Sequence, residues 1–215
     1  MNKKAKLLNL FTNYKREYVE CQELLKQIQA NSSLSEEGKA QEKKKVLDRL
    51  ASSASKYHDD AASIITDGLD ALEDKWSKGT KGNLMDAGYQ AGLSNVLKMI
   101  ELDAIKNEAD IKSIIETYHG DFNALGAVKA SLTKSAKQEI RDFAHLVPED
   151  MRERTRTLLN QLKGNVDRHI DGTNVQNAVK SWNSFNTQGG NITASMDGMA
   201  QFVTDRLADD LEVVK

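Results

Sequence analysis

Apolar side chains recur along the start of the chain in alternating steps of four and three residues. From Leu7 they fall at Phe11, Tyr14, Tyr18, Cys21, Leu25 and Ile28, with Lys15, Arg16, Glu17, Glu20, Glu23 and Lys26 between them. Such stepping is the heptad seam of a helix that lies along another helix. A second seam runs through Leu47, Leu50, Ala54, Tyr57, Ala61, Ile64, Gly68 and Ala71, and Leu72 and Trp76 extend it with a slight drift. Its small residues allow close approach and complement the bulky side chains of the first seam. The stretch between them, QANSSLSEEGKAQEKKK, reads as a tight connector. Ser33 and Glu36 have the spacing of a capping box, and Glu36 and Glu37 suit the positive end of a helix dipole. The pattern predicts an antiparallel helical hairpin over residues 1–78.

Glycines 79, 82 and 88 in WSKGTKGNLMDAG then predict a boundary, with Asn83 capping the next helix. A second region, residues 79–215, is expected to be a bundle of shorter helices. Residues 84–118 carry Leu93, Val96, Leu97, Ile100, Ile105, Ile111, Ile114 and Ile115, with a break expected near Asp103. Gly120 is expected to end that segment, and Asp121 to cap a helix over 122–145. The single proline, Pro148, is expected at the first position of the next helix, which runs to about Ile170. Asn174 caps VQNAVKSWNSF, TQGGN reads as a loop, and a last helix spans about Thr193 to Val213. The fold class is therefore all-α.

Composition sharpens this picture. Of 215 residues, 39% are hydrophobic and 29% charged, which suits long helices with narrow apolar stripes. Net charge is −2, so no global attraction to polyanions is implied. The distribution is uneven: residues 1–50 carry 11 Lys and Arg against 7 Asp and Glu, and residues 51–110 carry 6 against 11. The three lysines at 43–45 point around a helix rather than along one face. One cysteine, Cys21, leaves no internal disulfide and favours a reducing, cytoplasmic setting. No apolar run approaches the length of about 20 residues that a membrane span needs, and the basic N-terminus lacks the unbroken apolar core of a signal peptide.

Candidate chemistry is sparse. His58, His119, His145 and His169 show no helical pairing, and the Glu-x-x-His repeat of bundle metal centres is absent from the sequence. Asp59–Asp60 and Asp209–Asp210 are adjacent, so on a helix they diverge by about 100°. GTKGN lacks the spacing of a phosphate-binding loop. Cys21 lies on the seam and reads as a packing residue. Arg152 and Arg156, four apart in RERTR, form the sharpest basic patch. They suit either an acidic partner or pairing with Glu149 and Glu153. Trp182 and Phe185 read as core anchors or, if exposed, as a protein-contact pair. No catalytic residue, cofactor or metal ligand is expected, and no small-molecule substrate.

Residues 34–54, LSEEGKAQEKKKVLDRLASSA, resemble a helix-hairpin pattern of small structural proteins encoded in bacteriophage and prophage head-gene clusters. Residues 108–135, EADIKSIIETYHGDFNALGAVKASLTKS, have a similar character. The resemblance implies a non-enzymatic structural or assembly protein acting in head morphogenesis, located in the host cytoplasm or the virion. Its partners would be capsid components or further copies of itself, joined through the hairpin seam. Two rival expectations are an intracellular adaptor or inhibitor of a host protein, and a nucleic-acid-binding accessory protein using the basic N-terminal hairpin.

Overall fold

The computed structural model describes residues 1–172, 175 and 182–214, with the side chains of 79–82 and 182–191 excepted. It is all-α, and no named strand occurs among the described residues. Helix α1 spans Lys3–Ala30 and α2 spans Glu36–Met85. Asn2 caps α1, accepting from the Ala5 N–H. The cap of α2 is Ser35 rather than Ser33: its Oγ accepts from the Gly38 N–H at 3.1 Å. Ser33 is committed elsewhere, because its N–H and hydroxyl both donate to Asn31 Oδ1 at 2.9 and 2.6 Å. Glu36 and Glu37 do occupy the first turn of α2.

The remaining helices are α3 (Ala87–Glu101), α4 (Glu108–Thr117), α5 (Phe122–Lys134), α6 (Gln138–Asp142), α7 (Arg152–His169) and α8 (Trp182–Arg206). A 3₁₀ turn covers Phe143–Leu146. Several boundaries differ from the sequence pattern. Helix α2 continues through Gly79 and Gly82, and Asp86 rather than Asn83 caps α3, accepting from the Tyr89 N–H at 2.9 Å. TQGGN lies within α8, not in a loop. A glycine costs a helix only about 1 kcal/mol relative to alanine, which the rest of a long helix outweighs. Pro148 precedes α7 by four residues, in the non-helical connector to Arg152. The expected helix over 122–145 breaks after Lys134, and the last helix stops at Arg206 rather than near Val213. The expected cap Asn174 lies outside the described residues.

The chain divides into two compact units. The first comprises Met1–Asp70 and Arg152–Lys215, and the second Ala71–Met151. This differs from the expected division at 78/79: the C-terminal helices complete the hairpin's core instead of joining the middle of the chain.

In the first unit, α1 and α2 are antiparallel. Lys3 Nζ reaches the Asp67 carbonyl at 2.9 Å, the Tyr14 and Tyr57 rings lie 5.7 Å apart, and Lys43 bonds Gln29. Helix α8 packs on another side of α1, also antiparallel: Lys15 Nζ meets Asp197 at 2.6 Å, and Lys4 Nζ meets the Thr204 carbonyl at 2.9 Å. Helix α7 runs antiparallel to α2, with His58 against Asp167 and Gly172 against Ala51, and it also contacts α8. The result is an up-down-up-down four-helix bundle whose second crossing, from α2 to α7, contains the whole second unit.

One end of the bundle is closed by a hook. Beyond α8, Leu207 and Val213 form an antiparallel bridge, and the Ala208 N–H donates to the Glu212 carbonyl at 2.8 Å. Leu211 adopts a left-handed φ of 76° and is fully buried. A Cβ on Gly68 would lie 2.7 Å from Leu211 Cδ1, so the bare backbone there makes room for the hook. The Val213 N–H donates to the buried Thr155 hydroxyl at 3.2 Å, and Lys4 also donates to the Leu207 carbonyl at 2.7 Å.

The second unit has its own core of Ile100, Ile105, Ile111, Ile114, Tyr118, Leu125, Val128, Leu132, Ile140 and Val147. Two expected breaks are found. Asp103, with a φ of 52°, separates α3 from α4, and Gly120, with a φ of 85°, ends the segment before the Asp121 cap. The further corner at Ser135 is tied to the first break: Ser135 Oγ donates to Asp103 Oδ1 at 3.1 Å. Arg141 covers the corner's exposed carbonyls, donating to those of Ser135 and Ala136 at 2.7 and 2.9 Å.

Candidate functional site

The heptad seam is spent inside the chain. Leu7, Phe11, Tyr14, Tyr18, Cys21 and Leu25 are at most 1% exposed, and Leu47, Leu50, Ala54 and Ala61 are buried with them. Ile28 and Tyr57 are half-buried. On α2 the buried stripe departs from the expected positions at Ile64 and Ala71. Ile65, Gly68, Leu72 and Trp76 are buried, whereas Ile64 is half-buried and Ala71 exposed. A straight α-helix turns once in 3.6 residues, so a 3.5-residue repeat drifts by about 20° per heptad. The four-residue steps restore the match. With α2 and α8 both against α1, the seam residues of α1 are covered within the chain itself.

Cys21 is a packing residue as expected. Burial pushes its thiol up to about 12, so it stays protonated and unreactive at neutral pH. Burial likewise raises the Tyr14 and Tyr18 hydroxyls. The Tyr14 hydroxyl is fully buried with no hydrogen-bond partner among the described residues. The 43–45 lysines point in three directions, as their partners show: Lys43 to Gln29, Lys44 to Asp48 at 3.0 Å and Lys45 to Glu42 at 2.7 Å. Arg152 and Arg156 are half-buried at the start of α7, and Arg156 pairs with Glu153 at 3.1 Å. The side chains of Trp182 and Phe185 lie outside the described residues.

The histidines stay apart. His58 bridges Asp59 and Asp167, His145 Nδ1 meets the Asp142 carbonyl, and burial, then neighbouring Arg168, lowers His169. Among the described residues, no group of three or more His, Cys, Asp or Glu side chains is placed to hold a metal ion. A cleft of about 290 Å³ lies between α7 and α8, floored by Leu158, Leu162, Met199 and Phe202 and edged by Gln161 and Asn165.

The most concentrated polar site is Asp121 in the second unit, 8% exposed. Its Oδ2 accepts from Tyr89 Oη at 2.8 Å and Asn83 Nδ2 at 3.0 Å. Its Oδ1 accepts from the N–H groups of Asn123 and Ala124 at 3.0 and 3.1 Å. Burial alone would raise this carboxyl, but the four donors outweigh it and hold it below its ordinary value. The site fixes the end of α2 and the start of α3 to the start of α5. The Tyr89 ring also stands edge-on to Tyr118 at 5.3 Å. Sequence reasoning found Asp121 as a cap and missed its second role, because Asn83 and Tyr89 lie more than thirty residues away.

Large apolar side chains stand exposed in both units: Met1, Val19, Leu24 and Val214 in the first, and Leu84 at 63%, Met85 at 89%, Met99 at 46% and Leu102 at 69% in the second. Those of the second unit bracket α3, whose intervening Ala87, Gly88, Ala91 and Asn95 are also exposed. Leu93, Val96 and Leu97 on the same helix are only half-buried against the core. Among the described residues, no helix is long and apolar enough to cross a membrane. The fold and its surface define the class, a four-helix bundle with a helical unit inserted between its second and third rods. No protein-family model, curated protein or solved structure matches the chain.

Proposed function

We propose that the chain is a non-enzymatic structural or assembly protein of a phage or prophage, working in head morphogenesis through helix–helix protein contacts. The setting rests on the resemblance carried by residues 34–54 and 108–135. The mode of action rests on one observation: Leu84, Met85, Met99 and Leu102 stand exposed around α3 while the heptad seam is sealed. Apolar side chains left exposed at the end of α2 and at the C-terminal end of α3 favour a protein contact, since covering them removes apolar area from water at about 25 cal/mol per Å². The contact surface is therefore assigned to the second unit, and the first unit acts as the rigid frame.

Multi-angle light scattering tests this. The wild type is expected to self-associate as its concentration rises through the micromolar range. A fourfold variant, Leu84→Ser, Met85→Gln, Met99→Gln and Leu102→Ser, is expected to remain monomeric with its helix content unchanged. A wild type that stays monomeric at high micromolar concentration contradicts self-association. Mass spectrometry of particles induced from the source strain tests the setting: peptides of this chain are expected in heads or in assembly intermediates.

A further inference from the structure

The strongest unassigned constellation is in the first unit, where His58 on α2 lies between two carboxylates. Its Nδ1 is 3.0 Å from Asp59 Oδ1, and its Nε2 is 3.0 Å from Asp167 Oδ1 on α7. A neutral imidazole has one N–H and one lone pair. If it were neutral, one nitrogen would turn its lone pair toward a carboxylate oxygen at hydrogen-bond distance. Only the imidazolium donates at both nitrogens, so the protonated ring is the form that satisfies both contacts. The charged groups facing it are Asp59 on its own helix and Asp167 on α7. Lys163, 3.4 Å from the other oxygen of Asp167, shares that carboxylate.

We propose that His58 is a proton-operated clamp between α2 and α7: charged, it holds Asp59 and Asp167 together, and on losing its proton it releases Asp59 and keeps a weaker, neutral bond to Asp167. The two carboxylates differ in what release costs. Asp59 is 80% exposed and turns into solvent freely, whereas Asp167 is 46% exposed and is also held by Lys163. The proton left on the neutral ring is therefore the one on Nε2. Charge-assisted hydrogen bonds are roughly twice as strong as neutral ones, so the tie between the helices weakens without breaking. The hydrogen bonds to Asp59 and Asp167 hold the ring's midpoint above the ordinary 6.5, against a smaller opposing effect of burial. A raised folded-state value means the stabilisation is fully present below about 6.5. It fades as pH rises through the folded midpoint. The clamp thus tightens the bundle in mildly acidic surroundings and slackens it toward alkaline ones.

Nitrogen-15 NMR of the imidazole in the full-length protein tests the proposal, with His58 assigned by comparison with His58→Gln. The expected result is a midpoint above 6.5, with both nitrogens protonated below it and the Nε2–H tautomer above it. Asp59→Asn and Asp167→Asn are each expected to lower the midpoint. Thermal unfolding supplies a second readout. The wild-type melting temperature should fall from pH 6 to pH 8 by more than that of His58→Gln, and His58→Arg should not follow the wild-type fall. A midpoint at or below 6.5, an Nδ1–H tautomer above it, or equal pH dependence in wild type and His58→Gln would each overturn the clamp.

Discussion

Phe11, Tyr14 and Leu50 in the first unit are almost completely shielded, while Leu93, Val96 and Leu97 in the second are only half-buried around a core of short helices. The difference follows from geometry. Long rods with a continuous stripe can cover one another along their length, as α1, α2, α7 and α8 do. Helices of 10 to 15 residues, such as α3, α4 and α5, meet around a small centre and leave their outer faces to solvent. Polar groups follow the same division. Among the described residues the first unit buries few of them: the Thr155 hydroxyl, which accepts from the Val213 N–H, and the Tyr14 hydroxyl, which has no partner there. The second uses them as joints: Asp121 binds three helix ends together, and Asp103 and Ser135 lock two chain breaks to each other. A sealed frame and a jointed, partly apolar head suit different tasks, stiffness in one and contact in the other.

Phe11→Ala should produce the largest loss, about 3–5 kcal/mol, because it empties a fully packed site on α1. Hydrogen exchange read residue by residue should place that loss in residues 1–70 and 152–206, with the second unit's amides much less affected. Gly172→Ala should cost about 1–3 kcal/mol. Its new Cβ would lie 2.5 Å from the Ala51 carbonyl oxygen, a backbone atom that cannot swing aside. Chemical denaturation measures it.

Asp121→Ala should cost about 2 kcal/mol and confine its damage to the second unit, by removing a cap and leaving Tyr89 and Asn83 without their acceptor. The pH dependence has a defined sign. The Asp121 carboxyl is held below its ordinary 3.8, so its contribution is present above that pH and disappears as pH falls through the folded value. Acid should therefore loosen the second unit of the wild type, and the alanine variant should lack that component. Tyr14→Phe should have the smallest effect and the opposite sign, a gain of about 1 kcal/mol, since it deletes a buried hydroxyl that has no partner among the described residues. A loss of similar size would reveal a hydrogen bond that the hydroxyl makes in solution.

The seam of α1 was readable in the sequence because large residues alternate at four and three positions without interruption. The second seam was readable at Gly68, Leu72 and Trp76 too, but without a miss only as far as Ala61. Beyond it both Ile64 and Ile65 fit an apolar stripe, and the choice of Ile65 depends on the true helical twist and on what α2 meets. Local signals located Gly120, Asp121 and the break near Asp103, each set by backbone or capping chemistry within a few residues. They misplaced the α2 cap by two residues, because Ser33 and Ser35 are equally good caps until Asn31 takes the first. The division into units was not legible. Nothing local in residues 152–215 says that they return to the hairpin, and the ties that bring them there, Lys15 to Asp197 and Val213 to Thr155, span 182 and 58 residues. The same limit hid the exposed side chains around α3, which look like core residues until the core is seen to fill without them.

The central claim is that the first and last parts of the chain form one bundle, with residues 71–151 inserted between them. Zero-length carbodiimide cross-linking of the monomer, read by peptide mass spectrometry, tests it most directly, because Lys15 Nζ and Asp197 Oδ1 are 2.6 Å apart. The account predicts an amide bond between Lys15 and Asp197 within a single chain. Links from residues 1–30 that never reach residues 192–206, or that do so only between two chains, would contradict it.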